Sequence, residues 1–394
     1  MAICRRCVLP AIPGLIDLGD DGICADCRDY RSFDMQDEKT LLRLLGLSRQ
    51  RSGGYDAMVT VSGGRDSAFT LLKLVRDYRL RVLAVNYRNP FADEQAEENI
   101  ARMARIVKVD LIRFRLPGNL HRRILRNNLQ AWLNRPSAAM VPVICVGCKI
   151  IWPRIMAIAR RHRISCIVSG GNPYEYTAFK KALLGVSPGA GLTQTYLRNV
   201  FRLAREALGN PPYLKPAYLL HTLKGYLFAN PYALGSRLLG RRLQKIDLFH
   251  FIPWDEEEVL SRIESEIGWR APSGLFSTWR FDCRLSHLKD LMYLTTLGIT
   301  EKDDFYSQLI RDGKISRREA LDRLQREHRI DRAAIESIFR QLDLKLPEKL
   351  DSTFEQVGNG SGHAAGESSK VQRENGRGEK IGGSNREQGG PEDG

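Results

Sequence analysis

Hydrophobic positions in the first half of the chain follow two alternating rhythms. Short apolar runs at 55–61, 80–87, 109–116 and 164–169 have the length and β-branched content of buried strands. Between and around them, residues 68–78, 93–108, 119–134 and 149–161 repeat apolar positions at helical spacing. Strands alternating with helices predict an α/β core, a Rossmann-like doubly wound parallel sheet with helices on both faces. A short helix is predicted around 37–45, closed by the breaker Ser52-Gly53-Gly54. From about 180 to 250 the rhythm weakens and prolines stand at 188, 211, 212, 216 and 231, which predicts a helical insertion over one mouth of the sheet. Residues 296–345 predict a small helical region, with Ser316 placed to cap a helix and Glu319 three residues on. From 351 onward, 11 of 44 residues are Gly, a composition that cannot bury a core and predicts disorder. The chain therefore divides into a Cys-rich knuckle (1–35), a core (50–180), a basic helical insertion with the remainder of the core (181–295), a helical region (296–348) and a tail (349–394).

Composition narrows the class. A chain of 394 residues, 43% hydrophobic and 27% charged, has ordinary globular usage and length enough to bury a sizeable core. No run approaches about 18 uncharged apolar residues, and no apolar run follows the charges of residues 1–7, so a cytoplasmic location is expected. The formal charge is +15, and residues 151–250 hold 15 Lys/Arg against three acids, a local surplus of +12. Such a surplus attracts nucleotide phosphates, nucleic acid or an anionic membrane face, and charge alone does not choose among them.

Cysteine placement changes the picture further. Six of eight cysteines form Cys-x-x-Cys pairs in a chain whose expected compartment keeps thiols reduced. Cys4, Cys7, Cys24 and Cys27 have the spacing of a closed four-thiolate Zn²⁺ knuckle, whose role would be architectural. Cys145 and Cys148 are two ligands short of a site, and Cys283 is the expected third. Three thiolates leave one open position on a [4Fe–4S] cluster or on a second metal; a redox dithiol and simple packing are the other readings. Cys166 sits inside a strand and is expected in the core. The seven histidines show no metal or triad spacing.

The most informative segment is Ser62-Gly63-Gly64-Arg65-Asp66-Ser67. A strand feeds a glycine pair and a helix begins at once, so amide N–H groups and the helix N-terminus can cradle an anion. Ser62 and Ser67 add hydroxyls. Asp66 suits a Mg²⁺ ligand or a loop-ordering acceptor. Gly-Lys-Ser/Thr is absent, so this is not a Walker loop. Ser169-Gly170-Gly171-Asn172 closes a later strand and should face the same crevice. Asn86 ends the second strand, where adenosine would lie. Glu175 and Lys180 follow as candidate substrate contacts.

The loop resembles that of the PP-loop ATP-pyrophosphatase family. The opening cysteine pairs with Asp-x-Gly-Ile-Cys-x-x-Cys-Arg-x-Tyr, the second Cys-x-x-Cys, Ser-Gly-Gly-Asn, Arg280-Phe281-Asp282-Cys283 and the stretch 310–320 resemble one branch of it. That branch is the N-acetyl sugar amidotransferases of surface-polysaccharide (LPS) biosynthesis, and the likeness covers roughly 1–345. It implies that ATP adenylates the acetamido carbonyl of a nucleotide-linked N-acetyl sugar. Ammonia from a separate glutaminase subunit then replaces the oxygen, giving an acetamidino group with AMP and pyrophosphate released. It also implies that Asp66 and Ser67 are catalytic, that residues 62–67, Asn86, Gly170 and Gly171 bind ATP, and that Asn172, Glu175 and Lys180 meet the acceptor. Arg65 stands where the family's loop usually carries Lys. A second reading is a tRNA 2-thiolation enzyme, similar in its loop, zinc cysteines and three-cysteine cluster, with the basic region as an RNA track. A third, a non-enzymatic metal-binding scaffold, predicts no ATP turnover.

Overall fold

A computed structural model describes residues 2–51, 53–175, 179, 183, 192–275 and 277–358, with backbone only at 192–197, 199 and 356–358. Five strands form one parallel sheet: β1 (Ala57–Thr60), β2 (Val82–Tyr87), β3 (Asp110–Phe114), β4 (Cys166–Ser169) and β5 (Gln244–Asp247). Their order is β3-β2-β1-β4-β5. The order reverses between β1 and β4, and the crevice beyond the carboxyl ends of those two strands is where doubly wound sheets bind ligands. Ser62–Ser67 follows β1 and Ser169–Asn172 ends β4, so both glycine motifs meet at this switch point.

The predicted helices are found at Glu38–Arg51, Arg65–Arg76, Glu94–Ile106, Leu120–Asn134 and Trp152–Arg161. The first three of these helices pack on one sheet face in a core where Val59, Leu72, Ile100 and Cys166 are buried. Met58, Leu83 and Val85 on the other face pack with Ile155 and Met156 of Trp152–Arg161, and Leu120–Asn134 buries Ile124, Leu125 and Leu129 in a third cluster. One expectation needs correction. The span read as a helical insertion supplies helices Leu192–Leu208, Pro216–Leu227 and Leu234–Leu239, and then strand β5. That edge strand, Gln-Lys-Ile-Asp, buries only Ile246 completely, so its sequence carries no apolar run to announce it.

The stretch Ala138–Arg161, 24 residues reaching a mean hydropathy of 1.7, is long and apolar enough by length and composition to cross a membrane. Lys149 interrupts it, which is why a count of uncharged positions passes it over. Half of its most apolar window is buried inside the protein. It also carries Cys145 and Cys148 to the crevice, which marks it as a core segment.

The C-terminal region is helical as expected: Leu285–Leu297, Glu301–Arg311, Arg317–Glu327 and Arg332–Gln341. The Ser316 hydroxyl accepts from the Glu319 N–H at 3.1 Å, the predicted cap. Helical order then runs on through Asp351–Gly358, into the span read as disordered, because Leu350 and Thr353 are buried against the preceding helices. Residues 359–394 lie outside the described residues.

Candidate active site

The loop after β1 is built by its own side chains and by close backbone approach. Gly63 has φ +88°, and a Cβ there would overlap the Ala96 carbonyl oxygen, so no other residue fits. Trp269 Nε1 donates to the Gly63 carbonyl at 2.9 Å and fixes the turn. Ser62 N–H donates to Ser67 Oγ at 3.2 Å, the two hydroxyls lie 3.2 Å apart, and Ser67 Oγ donates to the Gly64 carbonyl at 3.0 Å. Gly64 is the N-cap of Arg65–Arg76 and offers no side-chain cap. The first-turn N–H groups are therefore open to an anion at the positive end of a 12-residue helix. Gly170 packs on this turn; a Cβ there would lie 2.6 Å from the Asp66 carbonyl oxygen.

Asp66 is held from three sides. Trp254 Nε1 donates to it at 3.1 Å, Asn172 Nδ2 donates at 3.5 Å, and Arg65 Nε lies 3.4 Å away. Burial pushes its carboxyl up to about 6 against the pull of Arg65, and Glu175 pushes the same way. Arg65 itself is 3% exposed. Its guanidinium pairs with Glu256, donates to Thr278 Oγ1 at 2.8 Å and sits 5.0 Å over the Trp254 ring. The charge of Arg65 is thus turned into the protein.

The loop opens on a cavity of about 1130 Å³ that gathers most of the expected site. Ser62, Gly64, Asp66, Ser67, Asn86, Gly170, Gly171, Asn172 and Glu175 line it, together with Cys145, Cys148 and Cys283. Asn86 is locked in place, donating to the Val61 carbonyl at 2.9 Å and accepting from Arg113 Nε at 3.3 Å. Glu175 pairs with Arg280 at 3.6 Å. Arg280 also pairs with the buried Glu301 at 2.6 Å, as does Lys289. Lys180 lies outside the described residues.

Cys283 reaches the cavity because its segment docks on the turn after β2. Ala92 bridges Cys283, and Arg284 N–H donates to the Phe91 carbonyl at 2.9 Å. Asn89 Nδ2 donates to Cys283 Sγ at 3.1 Å. Burial first, then Asp282 and Cys145, push the Cys283 thiol up to about 12. Cys148 is raised by burial and by both other thiols. The three sulfurs share a cavity without closing on a single point.

The knuckle is different. Among the described residues, Cys4, Cys7, Cys24 and Cys27 are the one set of three or more ligand atoms all within 4.8 Å. Cys4 Sγ lies 3.9 Å from Cys27 Sγ, and Cys7 Sγ lies 3.7 Å from Cys24 Sγ. All four are buried and none is in a disulfide. Backbone N–H groups of Cys7 and Cys24 point at Cys4 Sγ, at 3.5 and 3.3 Å. Arg311, from the helical region, donates to Cys27 Sγ at 3.3 Å and Cys7 Sγ at 3.8 Å. The residues fit a bound metal centre.

Sequence reasoning missed several parts of this site. Trp254 and Glu256 fix Asp66 and Arg65 from 188 and 191 residues away. Asp282 sits against Gly64, its Cγ 3.3 Å from where a Cβ would be, and its carboxyl is raised by burial. Asp312 joins the regions: Tyr30 donates to it at 2.8 Å and Tyr174 at 2.5 Å. A second cavity of about 380 Å³, lined by Arg88, Arg115, Arg122 and His121, shares Tyr87, Asn89, Ala92 and Glu97 with the first.

No protein-family model matches the chain, and no curated protein matches it. Among solved structures it is similar to NMN synthetase from Francisella tularensis, at 11% identity over 78% of this chain and 95% of that one, TM-score 0.35. It is also similar to the U34-tRNA thiolase NcsA from Methanococcus maripaludis with its [4Fe-4S] cluster, at 13% identity over 88% and 90%, TM-score 0.30. The NH3-dependent NAD synthetase from Campylobacter jejuni subsp. jejuni NCTC 11168, in complex with the nitrate ion, matches at 14% over 55% and 96%, TM-score 0.27. Likenesses this distant carry no functional argument, so the function is argued from the chain's own residues.

Proposed function

We propose that the chain is a PP-loop enzyme that splits ATP into AMP and pyrophosphate while adenylating an acceptor oxygen. One observation carries the reading: an uncapped helix N-terminus, two serine hydroxyls and two tightly packed glycine turns converge at the switch point of a parallel sheet. Such a cradle stabilises charge building on the pyrophosphate as the α-phosphorus is attacked. Ser62, Ser67 and the first-turn N–H groups would bind the β,γ end, and Asn86 would border the nucleoside. Asp66 and Asp282 offer carboxylates for Mg²⁺, which when bound neutralises phosphate charge. The knuckle's sulfur separations match the roughly 3.8 Å that a tetrahedral ion with about 2.3 Å bonds imposes, so Zn²⁺ is its proposed metal.

The acceptor is proposed to be the acetamido group of a nucleotide-linked sugar, amidated by ammonia from a glutaminase partner in the cytoplasm. An amide oxygen is a poor leaving group, and adenylation makes it part of AMP. Arg280-Phe281-Asp282-Cys283, one of the strings that carry the resemblance, supports this by bringing Asp282 to the loop and Cys283 into its cavity. The arginines of the smaller cavity suit an acceptor with a diphosphate. A second reading, tRNA 2-thiolation, is favoured by a different observation: three thiols face the cavity in which the activated oxygen would sit.

The test is AMP release by anaerobically purified protein, with UDP-acetamido sugars plus ammonium in one arm and unmodified tRNA plus sulfide in the other. The sugar reading expects AMP only in the first arm, with a product carrying one nitrogen in place of oxygen. AMP only in the second arm selects thiolation, and AMP in neither arm contradicts both.

A further inference from the structure

We infer that residues 198–242 form a surface that docks the protein on an anionic phospholipid bilayer. This inference is independent of the nucleotide reading. Three successive helices each turn large apolar side chains outward together with a cation. On Leu192–Leu208, Phe201, Arg205 and Leu208 lie at i, i+4 and i+7, which is one helical face. On Pro216–Leu227 the stripe is Leu220, Leu223, Lys224 and Leu227, while Gly225 on the other side packs against Val146. On Leu234–Leu239 it is Leu234, Arg237 and Leu238. Phe201 is 75% exposed, Leu208 71%, Leu220 67% and Leu238 65%.

Charge identifies the occupant. Residues 176–246 contain 11 Lys/Arg and a single acid, Glu206. Exposed apolar residues concentrated in this way mark an interaction site. A protein partner suits them less well, because charged residues are depleted at the core of protein interfaces and these cations are interleaved with the apolar side chains. A nucleic acid would use the cations but gives no home to exposed leucines. An anionic bilayer interface takes both, apolar side chains into the acyl boundary and cations among the headgroup phosphates. Asn230, Pro231 and Tyr232, between the second and third stripes, line the large cavity. The docking surface thus borders the cavity's wall.

The test is cosedimentation of the full chain with vesicles of phosphatidylglycerol and phosphatidylcholine, against phosphatidylcholine alone. Binding to the anionic vesicles only is expected. The variant Arg205→Gln/Lys224→Gln/Arg237→Gln should bind about fivefold more weakly for each cation removed. The variant Phe201→Ser/Leu208→Ser/Leu238→Ser should lose at least as much. Thermal melts show whether each variant is folded, and a Leu208→Trp variant, which keeps the apolar area, should gain fluorescence that brominated lipid quenches. No binding to anionic vesicles overturns the inference. So does an apolar variant that binds like wild type, or a tryptophan at 208 that brominated lipid leaves unquenched. AMP formation without vesicles should be the same in all variants.

Discussion

The two cysteine sites use one motif, Cys-x-x-Cys, in opposite surroundings. In the knuckle four sulfurs close on a point, fully buried, with backbone N–H groups and the Arg311 guanidinium turned toward them. In the crevice Cys145, Cys148 and Cys283 stand apart on a cavity wall, and the Asn89 side-chain amide donates to Cys283 Sγ. A sealed set with compensated charge can only hold the chain together. An open set beside the loop can also meet a substrate. The motif says that sulfur ligands are present; burial and partners say what they are for.

The largest effect should separate the two sites by stability. Cys24→Ser should release the knuckle metal and cost several kcal/mol, since metal affinity at such sites is folding free energy. Cys148→Ala should keep that metal and melt within a few degrees of wild type, yet abolish turnover. Metal analysis with calorimetry on both variants decides it; equal melting losses would erase the distinction.

Next comes Arg311, whose removal leaves buried thiolate charge uncompensated. Arg311→Met should cost about 3 kcal/mol in denaturant titrations while AMP formation per folded molecule stays unchanged. Asp66 shows the converse, a cavity-lining group that costs stability. Its carboxyl is raised to about 6 by burial, so its contribution to stability is fully present below about pH 4 and is lost as pH rises through 6. Asp66→Asn should stop AMP formation and raise stability at pH 7.5 by about 1–3 kcal/mol. A variant that was inactive and also less stable would deny that trade. The smallest effect belongs to Asn89→Ala, worth about 1 kcal/mol of lost hydrogen bonding, with turnover falling severalfold and the melting point scarcely moving.

Much of this frame was legible in local sequence, because local physics sets it. Val59, Val85 and Val168 lie in short runs whose burial on both sheet faces leaves a near-continuous apolar signature. Gly63 marks a turn that only glycine can make, and Gly170 a backbone approach that leaves no room for a Cβ. The edge strand Gln244–Asp247 was not legible, since one buried residue in four gives no period to find. Nor could sequence show that Arg65 turns inward, because Trp254, Glu256 and Thr278 reach it only after folding. Asp312 was equally silent: the tyrosines it joins stand 282 and 138 positions away. Long-range polar contacts leave no periodic trace, and here they decide which charges face the cavity.

The central claim is that an acceptor oxygen is transferred to the α-phosphorus of ATP at residues 62–67. The direct measurement supplies a UDP-acetamido sugar labelled with ¹⁸O in its acetamido carbonyl, with ATP and ammonium, and weighs the nucleotide product. The account predicts AMP carrying one ¹⁸O, and none from the Asp66→Ala/Ser67→Ala variant. ADP as the product, or AMP without the label, would contradict it.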